Sequence, residues 1–348
     1  MKVLITGGAG FLGLHLARHF QNNGYDVRLL DIADFPKEEY DSKLELVTGD
    51  IRNAKIAAEA TVGVDVVVHA AAALPLWSAE EILSTNVEGT RVMLAAAKQA
   101  NVRRFVYISS TAVYGVPKKH PIIETDPRVG VGPYGISKIQ AEDACFEAIS
   151  SGQPVTIIRP KTFVGTERLG VFEILFDWIH DGKRIPVVGN GGNRYQLLDV
   201  DDLVDAVFRF ASITKKSANY NQAFNIGAKK FQTVEKDLQE LFELAHSGST
   251  LLPTPAAPIK LVLRILEMLH LSPLYQWVYD TADKDSFVSI EKIENTLSWS
   301  PKYSNAEALI KSYKWYQTHY TEVKSRKSGV THTVGWKQGA LGIVKKFL

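Results

Sequence analysis

The chain has 348 residues, of which 45% are hydrophobic and 22% are charged, and its formal net charge is +2 at pH 7. This is the composition of an ordinary globular protein with one large domain or two moderate ones, and the charge balance gives no reason to expect nucleic acid as a partner. A single cysteine, Cys145, excludes an internal disulfide and fits a reducing compartment. Because no sorting signal precedes the first predicted strand, we expect a cytoplasmic protein.

Short β-branched runs alternate with segments of helical periodicity through the first half of the chain. The runs are K-V-L-I-T, D-V-R-L-L-D, L-E-L-V-T, D-V-V-V-H, R-F-V-Y-I-S and P-V-T-I-I-R. Continuous apolar strands separated by helices are typical of a sheet that is buried on both faces. The sequence therefore predicts an α/β protein with a Rossmann-type, doubly wound parallel sheet.

The alternation loosens after Arg159. D-V-D-D-L-V-D-A-V-F-R-F predicts a capped helix, F-V-S-I predicts a late strand, and residues 256–271 form an amphipathic stretch. We therefore predict a smaller C-terminal substrate-binding portion beside the Rossmann core. The expected organisation is a core at 1–165 to which 197–228 return, a substrate-binding portion at 166–196 and 229–323, and a basic amphipathic tail at 324–348.

Four glycines lie within the stretch T-G-G-A-G-F-L-G, which follows the first predicted strand and opens the first predicted helix. Gly7, Gly10 and Gly13 let the backbone bring a pyrophosphate against free N–H groups at the positive end of the helix dipole. A glycine pattern alone is a weak signal, so the interpretation as a dinucleotide site needs further support.

Two acidic residues strengthen that interpretation. Asp31 ends the second predicted strand, where its carboxylate can accept hydrogen bonds from both ribose hydroxyls and repel a 2′-phosphate. This favours NAD over NADP. Asp50 follows the third predicted strand and is placed to meet the adenine edge, with Ile51 packing on the ring.

Several motifs occur in an order that resembles the extended short-chain dehydrogenase/reductase family. They are T-G-G-A-G-F-L-G with its G-x-x-G-x-x-G spacing, G-D-I-R, H-A-A-A, T-N-V-E-G-T, I-S-S-T-A-V-Y-G and a Tyr-x-x-x-Lys pair. The resemblance is strong over roughly residues 1–230 and weak beyond them. It implies an NAD-dependent enzyme, commonly a homodimer, whose cofactor site also includes Phe11, Leu12, Ala70, Ala71 and Asn86.

The Tyr-x-x-x-Lys pair occurs three times, beginning at Tyr114, Tyr134 and Tyr320, and context separates the three. Pro117 interrupts the helix that would hold the first lysine on the same face as its tyrosine. Tyr320 lies on a polar segment with no glycine turn or acid nearby. Tyr134 opens a helical run about 25 residues after a strand that ends in Ser-Ser-Thr. We therefore assign Tyr134 and Lys138.

The resemblance implies a role for each residue of the reacting group. Tyr134 exchanges a proton with the substrate alcohol, Lys138 holds the nicotinamide ribose and lowers the Tyr134 pKa, and Ser110 orients the substrate oxygen. Thr111 is the alternative hydroxyl if the strand end is shifted by one residue. Relatives that dehydrate or decarboxylate a sugar carry an acid where this chain has Ala112. The implied chemistry is therefore plain hydride transfer, the reversible oxidation of a secondary alcohol to a ketone.

Two substrate classes remain open. Nucleotide-sugar epimerases resemble the chain in G-N-G-G-N-R-Y-Q-L-L-D-V-D-D-L, where Arg194 would grip the substrate pyrophosphate, although Arg194 could instead pair with the acids that follow it. Two departures weaken this resemblance: Thr162 stands in R-P-K-T where those epimerases have asparagine, and D-T-A-D-K-D replaces a second arginine. Proteins similar to 3β-hydroxysteroid dehydrogenases tolerate R-P-x-T and often carry an amphipathic segment like residues 256–271.

The sequence as a whole favours an NAD-dependent epimerase of a nucleotide-sugar type, in which Thr162 and Arg194 contact the substrate. The alternative is an oxidoreductase that acts on an apolar lipid alcohol. A non-catalytic NAD-sensing protein is disfavoured, because both Tyr134 and Lys138 are present.

Two further sequence patterns bear on metal binding and on membrane contact. His15 and His19 stand four positions apart without a third ligand nearby, so we predict structural roles and no metal site. In the tail, Trp336, Ala340, Ile343, Val344 and Phe347 would share one side of a helix flanked by lysines. Two interpretations stay open for this side: peripheral contact with the inner face of a membrane, or docking on the protein's own domain or on a second subunit.

Overall fold

Strands alternate with helices through the first half of the chain. The computed structural model describes residues 1–35, 39–75, 77–167, 169–214, 217–269, 274, 276–325, 328–329, 335–336 and 341–348. Its strands are β1 (Lys2–Thr6), β2 (Asp26–Asp31), β3 (Glu45–Thr48), β4 (Val66–His69), β5 (Arg104–Ile108), β6 (Val155–Pro160), β7 (Phe163–Val164), β8 (Ile185–Val188), β9 (Leu198–Asp199), β10 (Ala223–Ile226), β11 (Leu251–Thr254), β12 (Ser328–Gly329) and β13 (Gly335–Trp336).

The helices range from single turns to five turns. They are α1 (Phe11–Asn22), α2 (Ala54–Thr61), α3 (Ala79–Leu83), α4 (Gly89–Gln99), α5 (Gly132–Ser150), α6 (Phe172–His180), α7 (Val200–Ser212), α8 (Val234–Ala245), α9 (Ala256–Met268), α10 (Gln276–Thr281), α11 (Glu291–Leu297), α12 (Asn305–Thr318), α13 (Tyr320–Ser325) and α14 (Leu341–Val344). A π-helical turn at Ser84–Glu88 joins α3 to α4, and 3₁₀ turns occupy Thr111–Tyr114, Ala218–Tyr220 and Lys345–Phe347.

Seven strands form one parallel sheet in the order β10-β6-β5-β4-β1-β2-β3. The six apolar runs predicted as strands are β1 to β6, so the predicted Rossmann-type fold class is confirmed. The direction of winding reverses between β1 and β4, and a doubly wound sheet leaves a crevice at such a switch point. The seventh strand, β10, is not predicted by the hydrophobic pattern, because A-F-N-I is too short a run to distinguish a strand from a buried helix.

Helices cover both faces of the sheet. Alternate residues of β1 point to opposite sides: Val3 and Ile5 pack with α1 and α7, whereas Leu4 packs with α2, α4 and α5. Burial on both faces explains why the strands are continuously apolar. A third core cluster joins side chains of α6, α8 and α12 in the C-terminal portion.

The capped helix and the amphipathic stretch predicted from the sequence both form, as α7 and α9. Asp199 caps α7 by accepting a hydrogen bond from the Asp201 N–H at 2.9 Å. Helix α9 is oriented with its apolar side outward: Leu261 and Met268 are 60% and 75% exposed. Its polar side faces the protein, where Lys260 forms an ion pair with Asp283.

The prediction of a late strand at F-V-S-I is wrong. The segment makes a single isolated bridge, between Ile122 and Val288. The Ile122 N–H donates to the Phe287 carbonyl at 3.0 Å, and the Ser289 N–H donates to the Ile122 carbonyl at 2.8 Å. The neighbour is a loop rather than a strand, so the pairing does not extend into a ladder.

The described end of the tail docks on the protein's own C-terminal portion. Leu341 and Leu348 pack against the third core cluster. The Lys345 ammonium lies 2.5 Å from an Asp177 oxygen and 2.6 Å from an Asp181 oxygen. The Lys345 charge is thus neutralised within the chain. Trp336, Ala340 and Ile343 are predicted to share the membrane-facing side, but their side chains are not among the described parts of the structure.

The described residues show neither a membrane-spanning helix nor a metal-binding cluster. Within the described part of the chain, no helix combines the length and the hydrophobicity needed to cross a bilayer. Over the same residues, no group of three or more His, Cys, Asp or Glu side chains is arranged to hold a metal ion. His15 contacts the Thr166 carbonyl at 3.3 Å, and the His19 ring packs edge-on against Phe208 at 5.0 Å.

We expect Gly13→Ala to destabilise the protein and to abolish nucleotide binding. A Cβ at Gly13 would lie 2.2 Å from the Gly7 carbonyl oxygen, so β1 and α1 must separate, at a cost of roughly 2–4 kcal/mol. Denaturant unfolding and NAD titration measure the two effects. The control, Gly63→Ala, meets no atom within 4 Å and should cost about 1 kcal/mol for its backbone conformation while NAD binding is kept. Equal NAD affinity in the two variants would contradict this expectation.

Candidate functional site

A cleft of about 710 Å³ opens at the carboxyl ends of the sheet strands, where the strand order reverses. It brings together most of the residues that the sequence singled out, and Asn86 and Arg194 are absent from its lining. The predicted residues that line it are Gly7, Gly10, Phe11, Leu12, Gly13, Asp31, Asp50, Ile51, Ala70, Ala71, Ser110, Tyr134, Lys138 and Thr162.

The glycine turn is shaped for a phosphate group. Gly7 adopts φ +72°, and a Cβ there would lie 2.8 Å from the Ala71 backbone nitrogen, so only glycine fits between β1 and the segment after β4. Helix α1 begins after Gly10 with no side-chain cap and no acidic residue in its first turn. Its first N–H groups therefore point at the cleft without a capping side chain, which is how a helix N-terminus binds a pyrophosphate.

Asp31 lies at the end of β2, as predicted, and its carboxylate is held in place by the backbone. One oxygen accepts a hydrogen bond from the Ala9 N–H and the other from the Ala33 N–H, both at 2.9 Å. A carboxylate offers about four acceptor positions. It therefore keeps capacity for the two hydroxyls of a ribose, and the residues of this end of the cleft fit the adenosine half of NAD.

Asp50 is paired with an arginine that sequence reasoning missed. Arg52 donates from Nε and Nη2 to the Asp50 carboxylate at 2.6–3.1 Å, and these bonds hold the pKa of Asp50 below its ordinary value. Arg52 also lines the cleft and donates to Glu81 and Ser84. The G-D-I-R motif contained the signal, since a bidentate partner two residues from the acid is part of it.

Asn86 is buried next to the cleft and holds two of the surrounding segments together. It is 1% exposed; its side-chain oxygen accepts from the Ala73 N–H at 2.8 Å, and its amide donates to the Ser137 hydroxyl at 2.9 Å. It thereby ties the segment after β4 to helix α5. In the structure Asn86 has a positioning role, and its contact with the cofactor stays a prediction.

Tyr134, Lys138 and Ser110 meet in the cleft. Tyr134 and Lys138 stand one turn apart on α5, and the Lys138 ammonium lies 5.8 Å from the centre of the Tyr134 ring. Ser110, just after β5, is hydrogen-bonded to Tyr134 and accepts from the Ala112 N–H at 3.1 Å. Thr111, the alternative hydroxyl, is 4% exposed and its oxygen has no hydrogen-bond partner among the described residues.

Burial dominates the protonation of the two reacting groups. It raises the pKa of Tyr134 to about 12, against the opposing hydrogen bond with Ser110. It lowers the pKa of Lys138 to about 8, while the charge of Glu142 acts in the other direction. The net shift of the Tyr134 pKa is therefore upward. The Lys138 ammonium donates to the Ile108 carbonyl at 3.0 Å.

The other two tyrosines of the Tyr-x-x-x-Lys pattern lie elsewhere. Tyr114 is 2% exposed, and its hydroxyl donates to Asn225 and accepts from Arg159, both at 2.7 Å, as part of the core. The Tyr320 ring stacks on His180 at 4.2 Å in the C-terminal portion. Neither residue lines the cleft.

The predicted substrate residues are separated. Thr162 lines the cleft, with its hydroxyl 3.4 Å from the Tyr195 hydroxyl. Arg194 is exposed, and its guanidinium lies 4.7 Å from the Phe231 ring centre and 4.6 Å from that of Phe287. These contacts hold Arg194 away from the cleft, so the structure offers no support for a pyrophosphate clamp at this residue.

A buried ion pair fixes helix α5 to the strand ends. Glu142 and Arg159 are 0% and 2% exposed; two bonds at 2.7 and 2.8 Å join them, and the Ser109 hydroxyl donates to the same carboxylate at 2.6 Å. Burial opposes the charge of Arg159, but the hydrogen bonds and charge of Glu142 outweigh it and raise the Arg159 pKa. Sequence analysis missed this pair, since its members are 17 residues apart with no local motif.

Comparisons with known proteins agree with this geometry. The family described as "NAD dependent epimerase/dehydratase family" matches residues 3–227. A protein of Sinorhizobium fredii designated y4nG is 34% identical to the chain, and the match covers 98% of this chain and 85% of that protein. A UDP-glucose 4-epimerase from Lactobacillus helveticus is 29% identical over 92% of this chain and 98% of its own length.

A solved structure shares the fold. The UDP-glucose 4-epimerase of Thermotoga maritima, determined with UDP-glucose, superposes with a TM-score of 0.76 at 22% identity, covering 92% of this chain and all of that one. The likeness extends beyond the sheet into the C-terminal portion.

We expect Glu142→Gln to destabilise the protein by about 3–5 kcal/mol, because it leaves the Arg159 guanidinium buried without a counter-charge. Denaturant unfolding measures the free energy. Glu147→Gln, an exposed position on the same helix, is the matched control and should change stability by less than about 0.5 kcal/mol. Similar losses in both variants would show that the ion pair is not what secures α5.

Proposed function

Because the chain belongs to the NAD dependent epimerase/dehydratase family, we propose that it epimerises a nucleotide-sugar through transient oxidation of a secondary alcohol. It is an enzyme of the extended short-chain dehydrogenase/reductase type, and NAD is its cofactor. The observation that carries the proposal is the meeting of Ser110, Tyr134 and Lys138 beside the glycine turn, in one cleft. Ala112 supplies no further acid there, which argues against a dehydration.

In the proposed mechanism, each side chain acts on the substrate oxygen or its surroundings. Ser110 donates a hydrogen bond that orients the alcohol, and Tyr134, in its phenolate form, takes the hydroxyl proton and later returns it. The Lys138 ammonium, one turn away on α5, favours the negatively charged form that Tyr134 needs before it takes that proton. The glycine turn and Asp31 would hold NAD, which would supply a reversible hydride acceptor, so that hydride return to the other face of the ketone would invert the carbon without net oxidation.

We assign cofactor binding and substrate binding to two different parts of the chain. Residues 1–165 and 197–228 would hold NAD, and β10 supports this division because it completes the sheet beside β6. Residues 166–196 and 229–323 would hold the sugar. In support, this portion contributes Leu169, Tyr195, Leu238 and Val278 to the lining of the cleft.

The substrate class is tested by incubating the purified, NAD-loaded protein with UDP-hexoses and, separately, with steroid or isoprenoid alcohols. Formation of the epimeric UDP-sugar without net accumulation of reduced cofactor is the expected result. Accumulation of reduced cofactor with the apolar alcohols alone would overturn the proposal in favour of a lipid alcohol dehydrogenase.

We expect Tyr134→Phe to lower kcat by roughly 10²–10⁴-fold, since the proton-transferring oxygen is lost. The affinity for NAD should stay within about threefold of wild type, because the glycine turn and Asp31 are untouched. Tyr320→Phe, outside the cleft, is the control and should keep its activity. An active Tyr134→Phe enzyme would show that another residue moves the proton.

We expect the wild-type protein to bind NAD at least about tenfold more tightly than NADP, because a 2′-phosphate would bring like charges together at Asp31. Asp31→Asn should reduce the ratio of the NAD affinity to the NADP affinity. Asp34→Asn, at an exposed position nearby, should leave that ratio unchanged. Equilibrium titration of the two nucleotides gives both ratios. Equal wild-type affinities would contradict the role of Asp31.

A further inference from the structure

Lys161 is a buried lysine in the cleft that the proposed mechanism does not use. It follows β6 directly, is 1% exposed and lines the cleft beside Thr162. Its ammonium donates to the Ser286 hydroxyl at 2.7 Å and lies 4.8 Å from the centre of the Tyr195 ring. The side chain is therefore fixed at one end of the cleft by two neutral groups.

Within the described part of the chain, no acidic side chain supplies a counter-charge to the Lys161 ammonium. Two other buried cations near the site interact with an acid: Arg159 pairs with Glu142, and the charge of Glu142 also acts on Lys138. Among the residues that the structure describes, Lys161 forms no ion pair, and burial lowers its pKa to about 7. An ammonium has three N–H donors, of which one is used here. Keeping a buried cation in this state is costly unless an anion arrives.

The register of the sheet places Lys161 at the reacting end of the cleft. Strands β5 and β6 are parallel neighbours with Ile108 opposite Ile158, and the Ser109 N–H donates to the Ile158 carbonyl at 2.7 Å. Ser110 is therefore level with Pro160, one residue before Lys161. Neighbouring strands lie roughly 4.8 Å apart with a rise of roughly 3.3 Å per residue. The backbone of Lys161 is thus close to that of Ser110, where the sugar ring must sit.

We propose that Lys161 binds a carboxylate carried by the sugar, so that the substrate is the nucleotide derivative of a hexuronic acid. This inference rests on the proposed function, because it takes the sugar to lie beside Ser110 and Tyr134. A carboxylate would supply the missing charge and accept the two remaining N–H bonds of the ammonium. A neutral hexose would bury the same ammonium further and offer hydroxyls alone. The substrate diphosphate is the competing anion, and the experiment separates the two.

The experiment measures equilibrium binding of UDP-glucuronate, UDP-glucose and UDP to the NAD-loaded protein by calorimetry. The variants are Lys161→Met, which keeps the length of the side chain without its charge, and Lys161→Arg, which keeps the charge. We expect Lys161→Met to lower the affinity for UDP-glucuronate by about 10–100-fold. The affinities for UDP-glucose and UDP should stay within about threefold of wild type. Lys161→Arg should restore part of the loss. Thermal unfolding of each variant shows that it is folded.

The outcomes assign failure to one proposal or the other. An equal loss for all three ligands would mean that Lys161 binds the diphosphate, and no loss would mean that Lys161 only anchors Ser286; either result overturns the uronic acid. If wild-type protein binds none of the three ligands, the nucleotide-sugar function itself fails. Ser286→Ala removes the anchoring bond and keeps the ammonium, so the preference for UDP-glucuronate should survive in that variant.

A pH series provides a second readout. The ratio of the UDP-glucuronate to the UDP-glucose affinity should fall as the pH rises from about 6 to about 9, because Lys161 loses its proton while the carboxylate stays ionised. The other titratable groups around Lys161 are Tyr195, whose pKa burial raises, and His120, whose pKa is lowered by burial, raised by the charge of Asp285 and lowered by that of Lys161. Lys138 titrates nearby but acts on both ligands. A ratio that is independent of pH in wild type would overturn the proposal.

Discussion

The buried ion pair between Glu142 and Arg159 determines where the reacting side chains stand. Helix α5 carries Tyr134 and Lys138 on the turns before Glu142, and Arg159 lies at the end of β6. Since the same carboxylate also accepts from Ser109, one acid joins the helix to the ends of two neighbouring strands. Rotation or sliding of α5 would break several charge-assisted bonds in a dry environment, and so the geometry of the cleft follows from this pair.

Two buried polar sites, one within the fold and one at the cleft, differ in their partners. Within the fold, the His69 ring contacts the Thr6 and Thr90 hydroxyls, and burial lowers its pKa to about 3, so that it stays neutral between the strands. At the cleft, the start of α1 has no side-chain cap, and among the described residues the Lys161 ammonium uses one of its three N–H donors. The protein is therefore less stable without a ligand than it would be with these groups fully paired, and a bound ligand can restore that stability.

The sequence predicts which residues share the cleft where the signal is local. The glycine turn, Asp31 at a strand end, and Tyr134 with Lys138 one turn apart are all set by spacing along one element, and all of them line the cleft. Contacts between residues that are distant in sequence are not visible in it: the acid that holds α5, the two rings that pack on Arg194, and the buried lysine after β6. A linear pattern cannot tell an arginine aimed at a ligand from one stacked between two phenylalanines, because the stacking residues come from other segments.

The uncapped start of α1 ties the folded state to the nucleotide. A side-chain cap at this position would contribute about 1 kcal/mol to the helix, and Gly10 provides none. A pyrophosphate that accepts hydrogen bonds from the same N–H groups would replace the cap. A ligand present at 100 times its dissociation constant stabilises its protein by about 2.7 kcal/mol. The amount of intact protein in a cell would then follow the local supply of dinucleotide, and a cofactor shortage would expose the chain to proteolysis before it limited the rate of the reaction.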